Sequence, residues 1–150
     1  MIIYLASDHA GFELKEKIKK HLLEQGMEFE DMGAFSVDPD DDYPDFIIPA
    51  AQKVAENPDH NRAIVIGGSG QGEAIAANKV KGVRALLYYG GTLDIVRVAR
   101  QHNNANVLSL GARFVTWEEV KEAIQIWCET EFEGGRHERR VEKINKLETS

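Results

Sequence analysis

The chain alternates in period, and that alternation limits its fold more than any other feature. Short runs rich in β-branched and aliphatic residues, at 2–7, 27–32, 63–66, 83–88 and 106–110, are separated by stretches whose apolar residues recur at helical spacing. Strands joined through helices do not pair as hairpins, so they align in parallel with the helices packed on the faces. The runs at 2–7, 63–66 and 83–88 are nearly continuous in apolar residues, as strands covered on both faces must be.

The helical stretches carry their own start and stop signals. Leu14, Ile18 and Leu22 recur every four residues, which places Lys15, Glu16, Lys19 and Lys20 off the apolar face, and Gly26 stands where that helix should stop. Residues 33–43 form a loop by composition, through Asp38, Pro39, Asp40, Asp41 and Asp42. Pro44 suits the first turn of a helix running to about Glu56, and Asn57-Pro58 ends it. Short helices are expected over about 72–79 and 92–101, and Thr116 with Glu119 three residues on forms a capping box for the next. Gly134-Gly135 then sets off a final helix near Arg136. At 150 residues this is one α/β domain: a doubly wound, Rossmann-like five-stranded parallel sheet with a C-terminal helical tail over about 131–150. Such sheets bind ligands at the carboxyl ends of their strands.

Charge and cysteine usage narrow the partners. A net charge of -7 argues against nucleic acid, which is bound by releasing counterions with Lys and Arg over a broad surface. The tail is balanced, with Arg136, Arg139, Arg140, Lys143 and Lys146 against Glu131, Glu133, Glu138, Glu142 and Glu148, so a local anion site there is still open. No apolar run approaches the roughly 20 residues of a membrane span, and residues 1–6 lack the basic start of a secretory signal. The single cysteine, Cys128, excludes an internal disulfide and fits the cytoplasm; beside Trp127 on an amphipathic helix it reads as a packing residue.

Three segments could carry chemistry: Ser7-Asp8-His9-Ala10-Gly11, Gly67-Gly68-Ser69-Gly70-Gln71-Gly72-Glu73 and Gln101-His102-Asn103-Asn104. The first two follow strands, where a doubly wound sheet puts its site; the third must be brought there by the connection that precedes the last strand. Glycines let backbone approach a ligand, and the next helix aims free N–H groups and a positive dipole end at it, which suits an anion or developing oxyanion. The glycine loop is no Walker loop, lacking Gly-Lys-Ser/Thr, and it follows the third strand rather than the first, unlike a dinucleotide fingerprint. Each segment alone also has a plain structural reading: a tight turn with Glu73 in the first helical turn, an N-cap at Asp8, and a helix terminus at His102. The acidic loop does not match a calcium-binding loop, since position six is not glycine and Pro49 stands at position twelve, so it is expected to be solvated.

Together, Ser7-Asp8-His9-Ala10-Gly11-Phe12, Asp42-Tyr43-Pro44-Asp45, Gly68-Ser69-Gly70-Gln71-Gly72-Glu73, Ile75-Ala76-Ala77-Asn78-Lys79, His102-Asn103-Asn104-Ala105-Asn106 and Gly135-Arg136-His137-Glu138-Arg139-Arg140 resemble the type B ribose-5-phosphate isomerases, nearly end to end. The resemblance implies interconversion of ribose 5-phosphate and ribulose 5-phosphate through an enediolate, with no cofactor or metal, by a homodimer whose sites lie between subunits. Many members carry a catalytic cysteine where this chain has Gly67; the branch with a glutamate after the glycine loop matches Glu73, the candidate base. The resemblance gives His102, with Asp8 near it, to ring opening and Asn103 to the sugar hydroxyls. Ser69 and the amides of Gly70 and Gly72, with Gly68 beside them, would hold the enediolate oxygens. His9, Arg113, Arg136 and Arg140 are the phosphate candidates, Arg136 and Arg140 being four apart on one helix face and placed by the family in the partner's site; Tyr43 would line the sugar. Isomerisation of a six-carbon phosphate such as allose or galactose 6-phosphate is the nearest alternative. A non-catalytic sugar-phosphate or nucleotide binding module would need neither Glu73 nor His102, and a flavodoxin-like signalling domain would need an acidic constellation the chain lacks.

Overall fold

The computed structural model describes residues 1–149. Five strands, β1 (Ile2–Ser7), β2 (Phe29–Asp31), β3 (Asn61–Gly67), β4 (Ala85–Tyr88) and β5 (Val107–Gly111), form one all-parallel sheet in the order β2-β1-β3-β5-β4. Six helices connect and follow them: α1 (Phe12–Glu24), α2 (Pro44–Glu56), α3 (Gln71–Asn78), α4 (Asp94–Asn103), α5 (Trp117–Glu129) and α6 (Arg136–Leu147).

Alternation along each strand splits the core in two. Ile3 and Leu5 of β1, Ile64 and Ile66 of β3 and Leu108 and Leu110 of β5 pack with Ile18 and Leu22 of α1, Val96 of α4 and Val120 and Trp127 of α5. The intervening Tyr4, Ala6, Ala63, Val65 and Val107 face Ile47, Ala50 and Val54 of α2 and Ala77 of α3. The helices that leave β1 and β3 therefore lie on opposite faces. The two strands are neighbours, with Ser7 beside Ile66, and their carboxyl ends part into a crevice. The expected fold and the capping box at Thr116 and Glu119 are present.

Three expectations differ in detail. β2 is a three-residue edge strand rather than 27–32, because only Phe29, Glu30 and Asp31 meet β1. α4 reaches Asn103 before the left-handed Asn104, at φ 51°, ends it, so His102 and Asn103 sit in its last turn. Lys15 is fully buried, although its spacing placed it off the apolar face. Its Nζ lies 2.6 Å from Asp31 Oδ1, and Lys19 lies 2.9 Å from Asp31 Oδ2. Against burial, which pushes the Asp31 carboxyl up, these two bonds and the Gly33 amide hold it below its ordinary value. That knot fixes the exit from β2 and hence the path of the acidic loop. No helix among the described residues is long and apolar enough to cross a membrane.

Candidate active site

The crevice at the carboxyl ends of β1 and β3 holds a cleft of about 470 Å³ lined by Asp8, His9, Ala10, Tyr43, Gly68, Ser69, Gly72, Glu73, Arg113 and Phe114. A larger hollow of about 610 Å³ between α1 and α5, around His21, Lys121 and Cys128, lies away from both strand ends. Its cysteine thiol is pushed up to about 11 by burial, so the thiolate that would give it chemistry is disfavoured. The smaller cleft is the candidate site because the polar groups converge there.

Glu73 sits in the first turn of α3 with 4% of its surface exposed. Its carboxylate fills the space beside Gly67 where any other residue would carry a side chain: a Cβ there would lie 1.8 Å from Glu73 Oε1. The end of β3 must be glycine for the carboxylate to rest in this place. Burial raises the Glu73 pKa, its own backbone N–H opposes the rise, and the nearby Asp8 adds to it. A carboxylate so placed is a better base than one in water, as a proton acceptor from carbon requires.

The loop before α3 is shaped by its neighbours. Gly70 takes φ 77° at the N-cap, a left-handed backbone that a Cβ resists, and its carbonyl accepts from the buried Ser109 hydroxyl at 2.6 Å. Ser69 Oγ accepts from the Gln71 amide at 3.3 Å, which leaves its own proton for a ligand. Gly72 presents its open side to the Tyr43 ring, and the Arg113 guanidinium lies against Gly68. Amides of the first helical turn have no carbonyl partner within the helix, so this rim can receive an oxyanion.

Across the cleft, Asp8 caps the turn that starts α1, with Oδ1 accepting from the amides of Ala10 and Gly11 at 3.0 and 3.2 Å. His9 Nδ1 lies 2.7 Å from Asp41 Oδ1, which also accepts the His9 amide at 3.2 Å. The bond to Asp41 raises the His9 pKa, against burial and the Arg113 charge, which lower it, and so favours the charged ring that would meet an anion. Asp41 belongs to the loop expected to be solvated, yet its side chain is only 8% exposed. The acidic run hid a specific partner of His9. Asp8, His9 and Asp41 stand close enough to share a cation; Asp8 Oδ1, Asp41 Oδ1 and His9 Nδ1 are engaged by amides and by one another, and Asp41 Oδ2 is buried without a hydrogen-bond partner.

The remaining candidates form a second group at the other end of the sheet. A crossover helix runs back against its strands, so the last turn of α4 carries His102 and Asn103 to the edge where β5 begins. The connection before β5 does not bring His102 to Asp8 within the protomer. Instead the His102 ring stacks on His137 of α6, centroids 4.1 Å apart and 9° from parallel, and both Nε2 atoms lie 3.7 Å from Glu133 Oε1. Arg136 and Arg140 flank His137 and help, after burial, to depress its pKa. The Asn103 carbonyl accepts from Arg84 Nε at 3.1 Å. Neither Glu133 nor His137 was singled out in the sequence, because nothing in its spacing links residue 102 to residue 137.

The chain is similar to known proteins along nearly its whole length. A family model described as ribose/galactose isomerase matches residues 3–144. Ribose-5-phosphate isomerase B of Mycolicibacterium paratuberculosis is 44% identical over 149 residues, which cover 99% of this chain and 92% of that protein. The crystal structure of ribose-5-phosphate isomerase B from Mycoplasma genitalium with bound ribulose 5-phosphate superposes with a TM-score of 0.95 at 44% identity, covering 99% of this chain and 97% of that one. The Thermotoga maritima ribose 5-phosphate isomerase gives 0.89 at 44% identity, with 97% of each chain covered.

Proposed function

The chain belongs to the ribose/galactose isomerase family, and we propose that it interconverts D-ribose 5-phosphate and D-ribulose 5-phosphate with Glu73 as the base that moves the proton between carbons. The observation that carries the assignment of the base is the desolvated Glu73 carboxylate, seated over Gly67 at the mouth of an anion-accepting loop.

The reaction requires an open sugar, a proton taken from C2 and returned to C1, and a place for the negative charge in between. His102 of a second protomer, meeting Asp8, delivers a proton to the ring oxygen and accepts one from the C1 hydroxyl. Glu73 takes the C2 proton; the electron pair left behind forms the C1–C2 double bond as the C1 carbonyl pair moves onto O1, giving the enediolate; a proton then passes from O2 to O1, and the same carboxyl group protonates C1 as the C2 carbonyl forms. The Ser69 hydroxyl and the amides of Gly70 and Gly72 hold the enediolate oxygens, donors whose position costs no reorganisation as charge develops. Asn103 orients hydroxyls, Tyr43 lines the sugar, and the phosphate is held by His9 and Arg113 from one side and Arg136 and Arg140 from the other. The protein acts as a homodimer in the cytoplasm, and the proton transfers require no cofactor.

Purified wild type and Glu73→Gln are to be compared on ribose 5-phosphate and on allose 6-phosphate. Wild type should turn over the pentose faster than the hexose, and the variant should bind the pentose phosphate without converting it. Binding of both sugars with turnover of neither would reduce the site to a binding module.

A further inference from the structure

The second group of side chains has a geometry that sugar isomerisation alone does not call for. His102 Nε2, His137 Nε2 and Glu133 Oε1 all lie within 4.8 Å of one another, with both nitrogen–oxygen separations at 3.7 Å. Ligands about 2.1 Å from a tetrahedral zinc ion stand about 3.4 Å apart, so each nitrogen–oxygen separation would close by a few tenths of an ångström around the ion. Two imidazoles and one carboxylate form a donor set of zinc sites that keep a fourth position open. The two rings stack at 4.1 Å and 9° from parallel, so they must tilt apart for their in-plane lone pairs to converge on one ion.

We propose that His102, His137 and Glu133 form a binding site for a divalent cation of the zinc type, and that occupancy of this site inhibits the enzyme by engaging the Nε2 atom of His102. The three ligands come from separate segments that the fold holds together. Glu133 is pinned to the end of α4 by its amide, which donates to the Gln101 carbonyl at 3.1 Å, and His137 is 9% exposed, packed between α6 and α4. In the single chain the His102 and Glu133 side chains are 40% and 50% accessible, so their donor atoms are not sealed in the protomer's own core. A hard cation such as magnesium, which prefers oxygen ligands, should not bind here. The inhibition rests on the assignment of His102 to ring opening; the binding does not.

Zinc chloride titration of the metal-stripped enzyme by calorimetry, with ribose 5-phosphate turnover measured at buffered free zinc, tests both parts. Wild type should bind one zinc ion per protomer and lose activity in step with occupancy, chelator should restore it, and magnesium chloride should do neither. Glu133→Gln, a change at an exposed position, and His137→Gln should each weaken binding by more than about tenfold and shift inhibition to correspondingly higher zinc. Absence of zinc binding, or equal affinity in both variants, would overturn the site. Zinc bound through these residues with undiminished turnover would overturn the inhibition and, separately, the ring-opening role of His102.

Discussion

Gly67→Ala adds one methyl group at the end of β3 and asks whether turnover depends on where the Glu73 carboxylate rests. The new Cβ would lie 1.8 Å from Glu73 Oε1, 2.1 Å from its carboxyl carbon and 2.6 Å from Oε2. Ordinary contact begins near 3.4 Å, so Oε1 must withdraw by about 1.6 Å. All three nearest atoms belong to one flexible side chain rather than to backbone, so the strand should keep its place and the protein should fold. Misplacing a reacting group by about 1 Å can cost roughly a hundredfold, and a positioned general base contributes about 10² to 10⁴ in rate. The variant should therefore lose about 10²- to 10⁴-fold in kcat/KM, or roughly 3–5 kcal/mol of transition-state stabilisation. Ketose formation from ribose 5-phosphate measures the loss, and thermal unfolding in parallel checks the fold. Because Gly67→Ala and Glu73→Gln remove the same interaction, the double variant should be no worse than the poorer single one. Wild-type turnover by a folded Gly67→Ala protein, or losses that multiply in the double variant, would refute the placement of the base.

Three further outcomes follow from the charges. Glu73 has a raised folded-state pKa, so the folded protein binds more protons than the unfolded chain between the ordinary carboxylate value and the Glu73 value; stability should fall as pH rises through that window, and denaturant titrations of Glu73→Gln should lack this slope. His9 is raised by Asp41, so Asp41→Asn should lower the His9 pKa in an NMR titration and bring the rise of KM with pH to lower pH; an unmoved His9 resonance would count against the pair. Asp31→Ala would strand the buried Lys15 ammonium and should cost about 3–5 kcal/mol in denaturant unfolding, whereas Glu16→Ala, at an exposed partner, should cost little.

The parts that were legible in the sequence are those governed by local period or by a single strand end. β1 and β3 are covered on both faces and read as nearly continuous apolar runs, and the strand-then-helix order placed Glu73 beside the glycine loop, while its part as the base came from the family resemblance. What stayed hidden depends on partners distant in sequence. The four-residue spacing of Leu14, Ile18 and Leu22 assigns Lys15 to the polar side of α1, and only Asp31, sixteen residues on, explains its burial. Asp41 looks like one of several solvated carboxylates until the fold lays it on His9, thirty-two residues away. The strand order, with β5 between β3 and β4, and the return of α6 to α4 that joins Glu133 and His137 to His102 leave no periodic trace.

The proposed role of His102 in a cleft at the carboxyl ends of the strands has a physical consequence. α4 is ten residues long, about 15 Å from end to end, and it returns against the strands. A residue in its last turn therefore serves a cleft at the carboxyl ends only if that cleft belongs to another copy. A two-fold pairing that sets the cleft of one protomer against α4 and α6 of the other forms two equal sites at once, since an isologous contact is made twice. Tyr89 and Phe114, edge to face at 6.4 Å and 55% and 60% exposed, Phe114 on the rim of the cleft, supply apolar surface for such a contact. The arrangement is tested by mixing two inactive proteins. In a hybrid of Glu73→Gln with His102→Asn, one site receives both defects and the other receives neither. Random reassociation makes half the dimers hybrid, so the mixture should recover about a quarter of wild-type activity. Recovery requires that Glu73 and His102 of one site come from different chains; a mixture that stays inactive after confirmed subunit exchange would place both residues in the same protomer's site.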